Sequence, residues 1–167
     1  LALSNSNLQA ANRYWIAGAN SNFNNTTNWS TSSGGAAGAS VPTTGDFVYF
    51  NGSGAGNCTF DIDVNFDGIR TTGYTGQIDL AGFTFNPAVS NVASCRFENG
   101  TIIDSDASSE VSFNTSGTVT FSGTTFHTPI TGVAGRLEFN GGVFNNPVTV
   151  EDNGGSSVNG AGGCTFN

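Results

Sequence analysis

With 167 residues, a net charge of −8 and only four arginines as fixed cations, the chain offers a phosphate backbone almost nothing to hold, which excludes nucleic acid as a partner class. Fourteen Phe and 24 Gly, with neither Lys nor Met, exclude an ordinary helical globule and point to strands and turns throughout. The length suffices for one continuous core, and no apolar run approaches the ~20 residues of a membrane helix, so no membrane insertion is expected.

Residues 1–12 read as an N-terminal arm or the remnant of a secretory signal, with small residues at Ala10 and Ala11. Residues 13–56 lack the repeat found later and read as an N-terminal capping module. They carry both tryptophans, in Tyr14-Trp15-Ile16-Ala17-Gly18 and Asn28-Trp29-Ser30, followed by a Ser/Gly/Ala-rich stretch and by Val41-Pro42 ahead of Asp46. A solenoid leaves the apolar interior of its first coil open, and Tyr14, Trp15 and Trp29 are suited to cover it. The competing reading makes the same three rings a platform for sugars, which requires them exposed. Phe47-Val48-Tyr49-Phe50 reads as a strand.

Residues 57–167 read as solenoid repeats. From Cys58 to Gly68 the chain alternates strictly, apolar at Phe60, Ile62, Val64 and Phe66 and polar between, as in a half-buried strand. Gly73-Tyr74-Thr75-Gly76 is a turn. Beyond it Gly82, Gly100, Gly123, Gly141 and Gly160 recur at gaps of 18, 23, 18 and 19 residues. Val119, Phe121, Gly123, Phe126 and Pro129 find counterparts at Leu137, Phe139, Gly141, Phe144 and Pro147, all 18 residues on. Short strands with Gly/Asn/Ser corners at such a period predict an all-β, parallel β-solenoid (β-helix) with coils of about 18–23 residues. Phe85, Phe97, Phe121 and Phe139 are expected to stack inside it. Asn99, Asn140 and Asn159, beside the repeat glycines, are expected to form a side-chain ladder along the corners.

The order of Tyr14-Trp15-Ile16-Ala17-Gly18, Asn28-Trp29-Ser30, Ser32-Ser33-Gly34-Gly35, Val41-Pro42 with Asp46, and Gly73-Tyr74-Thr75-Gly76 resembles the N-terminal region of large secreted Bacteroidetes proteins. These are adhesin-like surface proteins exported by the type IX route and carrying β-helical repeats. The resemblance covers roughly residues 13–85. It implies a secreted or cell-surface location and adhesive or structural work, and it brings no catalytic residues. The repeats run to Asn167 with no type IX sorting domain after them, so a segment of a longer protein is expected.

Candidate chemistry is sparse. Asp63-Val64-Asn65-Phe66-Asp67-Gly68 has the alternating oxygen ligands and sixth-position glycine of a calcium loop, with Asp61 just upstream, but Tyr74 stands at the twelfth position where a bidentate Glu belongs. Asp61, Asp63 and Asp67 therefore read first as the wet face of a strand and second as calcium ligands, the one cofactor considered. Asp104, Asp106 and Glu110 form another acidic group, read as an exposed loop because no Lys and no grouped Arg accompany it. His127 is the sole histidine and reads as a corner residue. Cys58, Cys95 and Cys164 have no metal-ligand spacing; buried free thiols are preferred, with one disulfide across a bent coil as the alternative. The expected function is a non-catalytic extracellular structural or adhesive solenoid. Its partner is a glycan or protein on a surface, or another copy stacked end to end. The alternatives are a carbohydrate-binding or polysaccharide-acting β-helix module, or a phage or virion fibre component.

Overall fold

Most strands alternate one buried side chain with one facing water, so a single coil of chain buries only a stripe of apolar groups and needs neighbours above and below to enclose it. The computed structural model describes residues 10–88, 94–152, 158–161 and 163–167; of the expected arm over residues 1–12, residues 1–9 lie outside them, while Asn12 already belongs to the first strand. It is an all-β, parallel β-solenoid.

A partial first turn consists of β1 (Asn12–Trp15) and β2 (Ser21–Asn22), followed by a 3-10 turn (Thr26–Asn28) and β3 (Trp29–Ser30). Five complete turns follow among the described residues. They are β4 (Phe47–Tyr49), β5 (Cys58–Thr59) and β6 (Val64–Asn65); β7 (Gly68–Arg70), β8 (Gln77–Asp79) and β9 (Phe85–Asn86); and β10 (Cys95–Phe97), β11 (Thr101–Ile103) and β12 (Val111–Asn114). The last two are β13 (Thr118–His127) with β14 (Ile130–Ala134), and β15 (Arg136–Phe144) with β16 (Val148–Asp152). β17 (Val158–Ala161) and β18 (Cys164–Phe166) continue the stack.

Each complete turn has three faces, and like faces pair in parallel. The first face runs β1-β4-β7-β10-β13-β15-β17 and the second β2-β5-β8-β11-β13-β15-β18. The third is a separate sheet, β6-β9-β12-β14-β16. β13 and β15 serve two faces because the chain passes the corner at Ser122–Thr124 without leaving the ladder, and register shifts mark the bend.

The offset of 18 holds between β13 and β15, where Phe121 pairs with Phe139. Elsewhere the corners differ in length. Phe97 pairs with Phe121 at an offset of 24, Arg70 with Arg96 at 26, and Tyr14 with Tyr49 at 35. Gly100 lies between the first and second faces, at the corner that Gly123 and Gly141 also occupy, whereas Gly82 lies after β8, between the second and third. The Gly82–Gly100 spacing thus joins two different corners, and Phe85 does not belong to the expected column. Phe85 is on the third face, buried edge-on against Phe60 and Phe66. Phe97, Phe121 and Phe139 do stack, with ring centroids 5.6 and 5.2 Å apart and planes within 14° and 20°. A second column, Phe126, Phe144 and Phe166, stands beside it at 5.4 and 4.9 Å. Each fully buried Phe contributes about 1.5–3 kcal/mol, so these columns supply much of the driving force for stacking the later turns.

The repeat glycines do different work. Gly100 adopts φ +83°, and a Cβ there would stand 2.8 Å from the Tyr74 ring; Gly123 instead leaves room for the Glu98 carbonyl, which a Cβ would meet at 2.3 Å. The expected Asn99–Asn140 ladder does not form, because the Ser122–Gly123 corner of the intervening turn separates the two, and Asn99 Oδ1 accepts instead from Gly73 N on the turn below; the Asn159 side chain lies outside the described residues. Ladders occur on other faces. Asn86 Nδ2 donates to Asn65 Oδ1 (2.7 Å), Asn145 Nδ2 to His127 Nδ1 (3.2 Å), and Asn167 Nδ2 to Asn145 Oδ1 (2.6 Å).

At the N-terminal end β3 turns back antiparallel on β1, pairing Trp15 with Trp29 and Tyr14 with Ser30. Gly38 N and Ala39 N donate to Trp29 O, both at 3.1 Å, so the following loop also lies on this end. Asp46 ties it down, accepting from Ala11 N (3.1 Å) and Thr43 N (3.0 Å). The parallel ladder starts at Asn12, so the 13–56 segment contains a solenoid turn as well as the residues that cover it.

Candidate functional site

The three aromatic residues considered as a sugar platform separate. Trp15 and Trp29 are fully buried, edge to face at 5.2 Å, with their indole N–H groups donating to Gly56 O and Phe23 O. Neither offers a ring face to a sugar. Tyr14 is half-buried and stacked on Tyr49 at 4.6 Å, so one face of its ring is covered. The Arg70 guanidinium lies 5.8 Å from the Phe47 ring beside them. Burial pushes the Tyr49 hydroxyl pKa up, the neighbouring Tyr14 adds to this, and Arg70 opposes it.

The three aspartates considered as calcium ligands also diverge. Asp61 reaches toward the first turn, accepting from Asn24 N (2.9 Å) and Asn22 Nδ2 (3.2 Å). Asp63 reaches the opposite way along the axis, accepting from Thr84 N at 2.9 Å. Asp67 stands at the next corner, where its backbone N–H donates to Asp46 O. Among the described residues no group of three or more His, Cys, Asp or Glu is placed to hold a metal ion.

Cys95 sits on the first face, and Cys58 and Cys164 sit on the second with several turns between them. Cys58 pairs with Ile78 and Cys95 with Val119; both are buried free thiols, and Cys164 is a half-buried free thiol. Burial raises the Cys95 thiol pKa to about 12 against a smaller opposing hydrogen bond from the Ile69 backbone, and raises that of Cys58 well above its ordinary value. Cys95 Sγ donates to Pro87 O at 3.1 Å.

The acidic loop after β11 is where the structure builds a concavity. Residues 104–110 form the longest described corner between the second and third faces, and they lean over the outer side of the third face. The loop is held by carboxylates. Asp104 accepts from Gly82 N (2.8 Å), Asp106 N (3.3 Å) and Ser109 N (2.5 Å), while Asp79 accepts from Ser105 N (2.9 Å) and Ala81 N (3.0 Å). Ala107 takes φ +56°, which turns the chain back toward Ser108 and Ser109. Between this wall and the sheet runs a groove of about 310 Å³ lined by Thr84, Asn86, Ser108, Ser109, Glu110 and Ser112. Register brings the lining together, since β12 packs on β9 with Val111 opposite Phe85, setting Glu110 and Ser112 beside Thr84 and Asn86.

Of the acidic group seen in the sequence, Asp104 is thus a loop staple and Glu110 a groove wall. Thr84, Asn86, Ser109 and Ser112 carry no motif and were not singled out in the sequence. The one signal that points there is the widened gap from Gly100 to Gly123, 23 residues instead of 18, which contains this corner. No family model, curated protein or solved structure matches the chain. Among the described residues no helix is long and apolar enough to cross a membrane.

Proposed function

We propose that the chain is a non-catalytic structural and adhesive segment of a secreted or cell-surface protein, a stiff column that displays its outer faces to a glycan or protein on an opposing surface. The observation that carries this reading is where its acids go. Asp46, Asp61, Asp63, Asp79 and Asp104 all hold backbone N–H groups, most of them on a neighbouring turn, so these carboxylates fasten turn to turn. The Asn and His side-chain ladders add further axial ties. Among the described residues every buried side-chain polar atom has a partner, which suits a scaffold more than a reactive centre. The Lys-free, acidic surface favours dispersion outside the cell.

The test is to couple the purified chain to beads and measure their retention on cells and on polysaccharide-coated surfaces, alongside release of reducing ends from the same polysaccharides. Retention without release supports the reading. Release of reducing ends, or retention no better than that of uncoated beads, overturns it.

A further inference from the structure

We propose that the groove beside the inserted corner is a binding site for a neutral oligosaccharide, an inference that rests on the adhesive reading and gives it a contact point. Three features point to a ligand rich in hydroxyls. First, solvent-facing polar groups that make no bond to the protein among the described residues converge there. Thr131 Oγ1 donates to Glu110 Oε1 (2.7 Å), which fixes the carboxylate, while Glu110 Oε2 has no partner among the described residues. The Asn86 amide donates to Asn65, which leaves its Oδ1 free to accept, and the hydroxyls of Thr84, Ser109 and Ser112 make no hydrogen bond among the described residues. Carboxylate and amide oxygens accept from sugar hydroxyls, and Ser and Thr hydroxyls both donate and accept.

Second, the lining disfavours apolar and anionic ligands. It has no aromatic or aliphatic side chain for an apolar ligand and no cation for a phosphate, sulfate or uronate. Glu110 on the wall, Asp106 in the same loop and a net charge of −8 repel anions. Third, the wall is preorganised. Asp104 and Asp79 together accept five backbone N–H groups in and under the loop, and Thr128 Oγ1 donates to Ser109 O (3.1 Å), so a ligand need not order the loop as it binds. An insertion on one face of a stack of repeats is also where such scaffolds commonly place a contact surface. With no ring to stack on and an open groove, affinity rests on hydrogen bonds alone and falls in the range of about 1 mM, which suits a multivalent surface contact.

The test is an NMR titration of the isotope-labelled whole chain with cellotetraose, xylotetraose, mannotetraose and maltotetraose, with tetragalacturonate as the anionic comparator. The expected result is saturable shifts of the Ser109, Glu110 and Ser112 amides with at least one neutral tetrasaccharide and none with tetragalacturonate. Glu110→Gln, which keeps the shape and removes the charge, weakens binding about tenfold, and Asn86→Ala weakens it by a similar factor, with the remaining amide spectrum unchanged. The proposal is overturned if no neutral tetrasaccharide moves these amides, if tetragalacturonate moves them equally, or if both variants bind as the parent does. Bead retention on cells is read in parallel, so the two ideas fail separately. Retention without groove binding overturns the groove alone, and groove binding without retention overturns the adhesive reading alone.

Discussion

Phe121 is the residue on which the later turns depend most, and Phe121→Ala tests the stacked core directly. Its ring is fully buried and meets five others: Phe97 at 5.6 Å, Phe113 at 6.3 Å, Phe126 at 5.6 Å, Phe139 at 5.2 Å and Phe144 at 5.3 Å. Truncating a core Phe costs about 3–5 kcal/mol in lost transfer energy and residual cavity. The upper half of that range applies here, because the flanking rings are fixed on hydrogen-bonded rungs and cannot close the gap, and each lost ring contact adds roughly 0.5–1.5 kcal/mol before overlap is discounted. About 4–5 kcal/mol corresponds to a fall in melting temperature of roughly 10 °C or more for a chain of this size. Urea unfolding followed by far-ultraviolet circular dichroism measures it. Since each turn touches only its neighbours, the tryptophan fluorescence of Trp15 and Trp29, at the other end of the stack, should shift its midpoint less than the dichroism does. A loss under about 1 kcal/mol would refute the reasoning, because that is the size expected for the exposed column end at Phe166→Ala.

Alkaline pH should weaken the fold through its buried thiols. Cys58 and Cys95 have folded pKa values raised by burial above the ordinary 9.0, to about 12 for Cys95, so above pH 9 the unfolded chain gives up protons that the folded chain keeps. Stability is full below that pH and falls as pH rises toward 12, with Tyr74, whose hydroxyl pKa is likewise raised by burial, adding to the loss above its ordinary 10.0; equal urea midpoints at neutral pH and at about pH 10.5 would refute the burial. Asp104→Ala should cost about 1–3 kcal/mol and speed hydrogen exchange at Gly82 and Ser109, whereas unchanged protection at both amides would mean that the loop does not depend on this carboxylate. Iodide should leave the fluorescence of the folded chain unquenched, since both indoles are fully buried, and strong quenching would place a tryptophan at the surface. Gly100→Ala should destabilise by more than about 1 kcal/mol, because it combines φ +83° with contact against the Tyr74 ring, and a neutral result in urea would show that the corner can relax.

The solenoid was legible because two successive turns, β13–β14 and β15–β16, have nearly equal corners. There the sequence offset equals the length of a turn, and five landmarks align at 18 residues. Where corners lengthen, that equality fails. Ile78-Asp79-Leu80-Ala81-Gly82 imitates Leu137-Glu138-Phe139-Asn140-Gly141 in pattern, yet the first is a second-face strand and its corner while the second is a first-face strand and its corner. Alternation of apolar and polar residues records that a strand has an inside and an outside, but not which face of the triangle it occupies, so Phe85 was assigned to the wrong column. The burial of Trp15 and Trp29 followed from a need that belongs to the whole stack, an uncovered first turn, and required no exact register.

The groove belongs to the opposite case. Its lining is drawn from residues 84–86 and 108–112, and its shape depends on Asp79 and Asp104 fastening a loop whose Ser, Ala and Asp content reads as an ordinary solvated corner. Nothing local distinguishes a carboxylate that holds backbone amides from one that waits for a ligand. Asp104 and Glu110 are six positions apart in one loop and take the two different roles because Gly82 N lies under the first and the open third face under the second. Sites on solenoids are therefore better sought in departures from the period than in motifs. A corner that keeps the period stacks directly on its neighbours, whereas an inserted corner has wall left over to face a ligand.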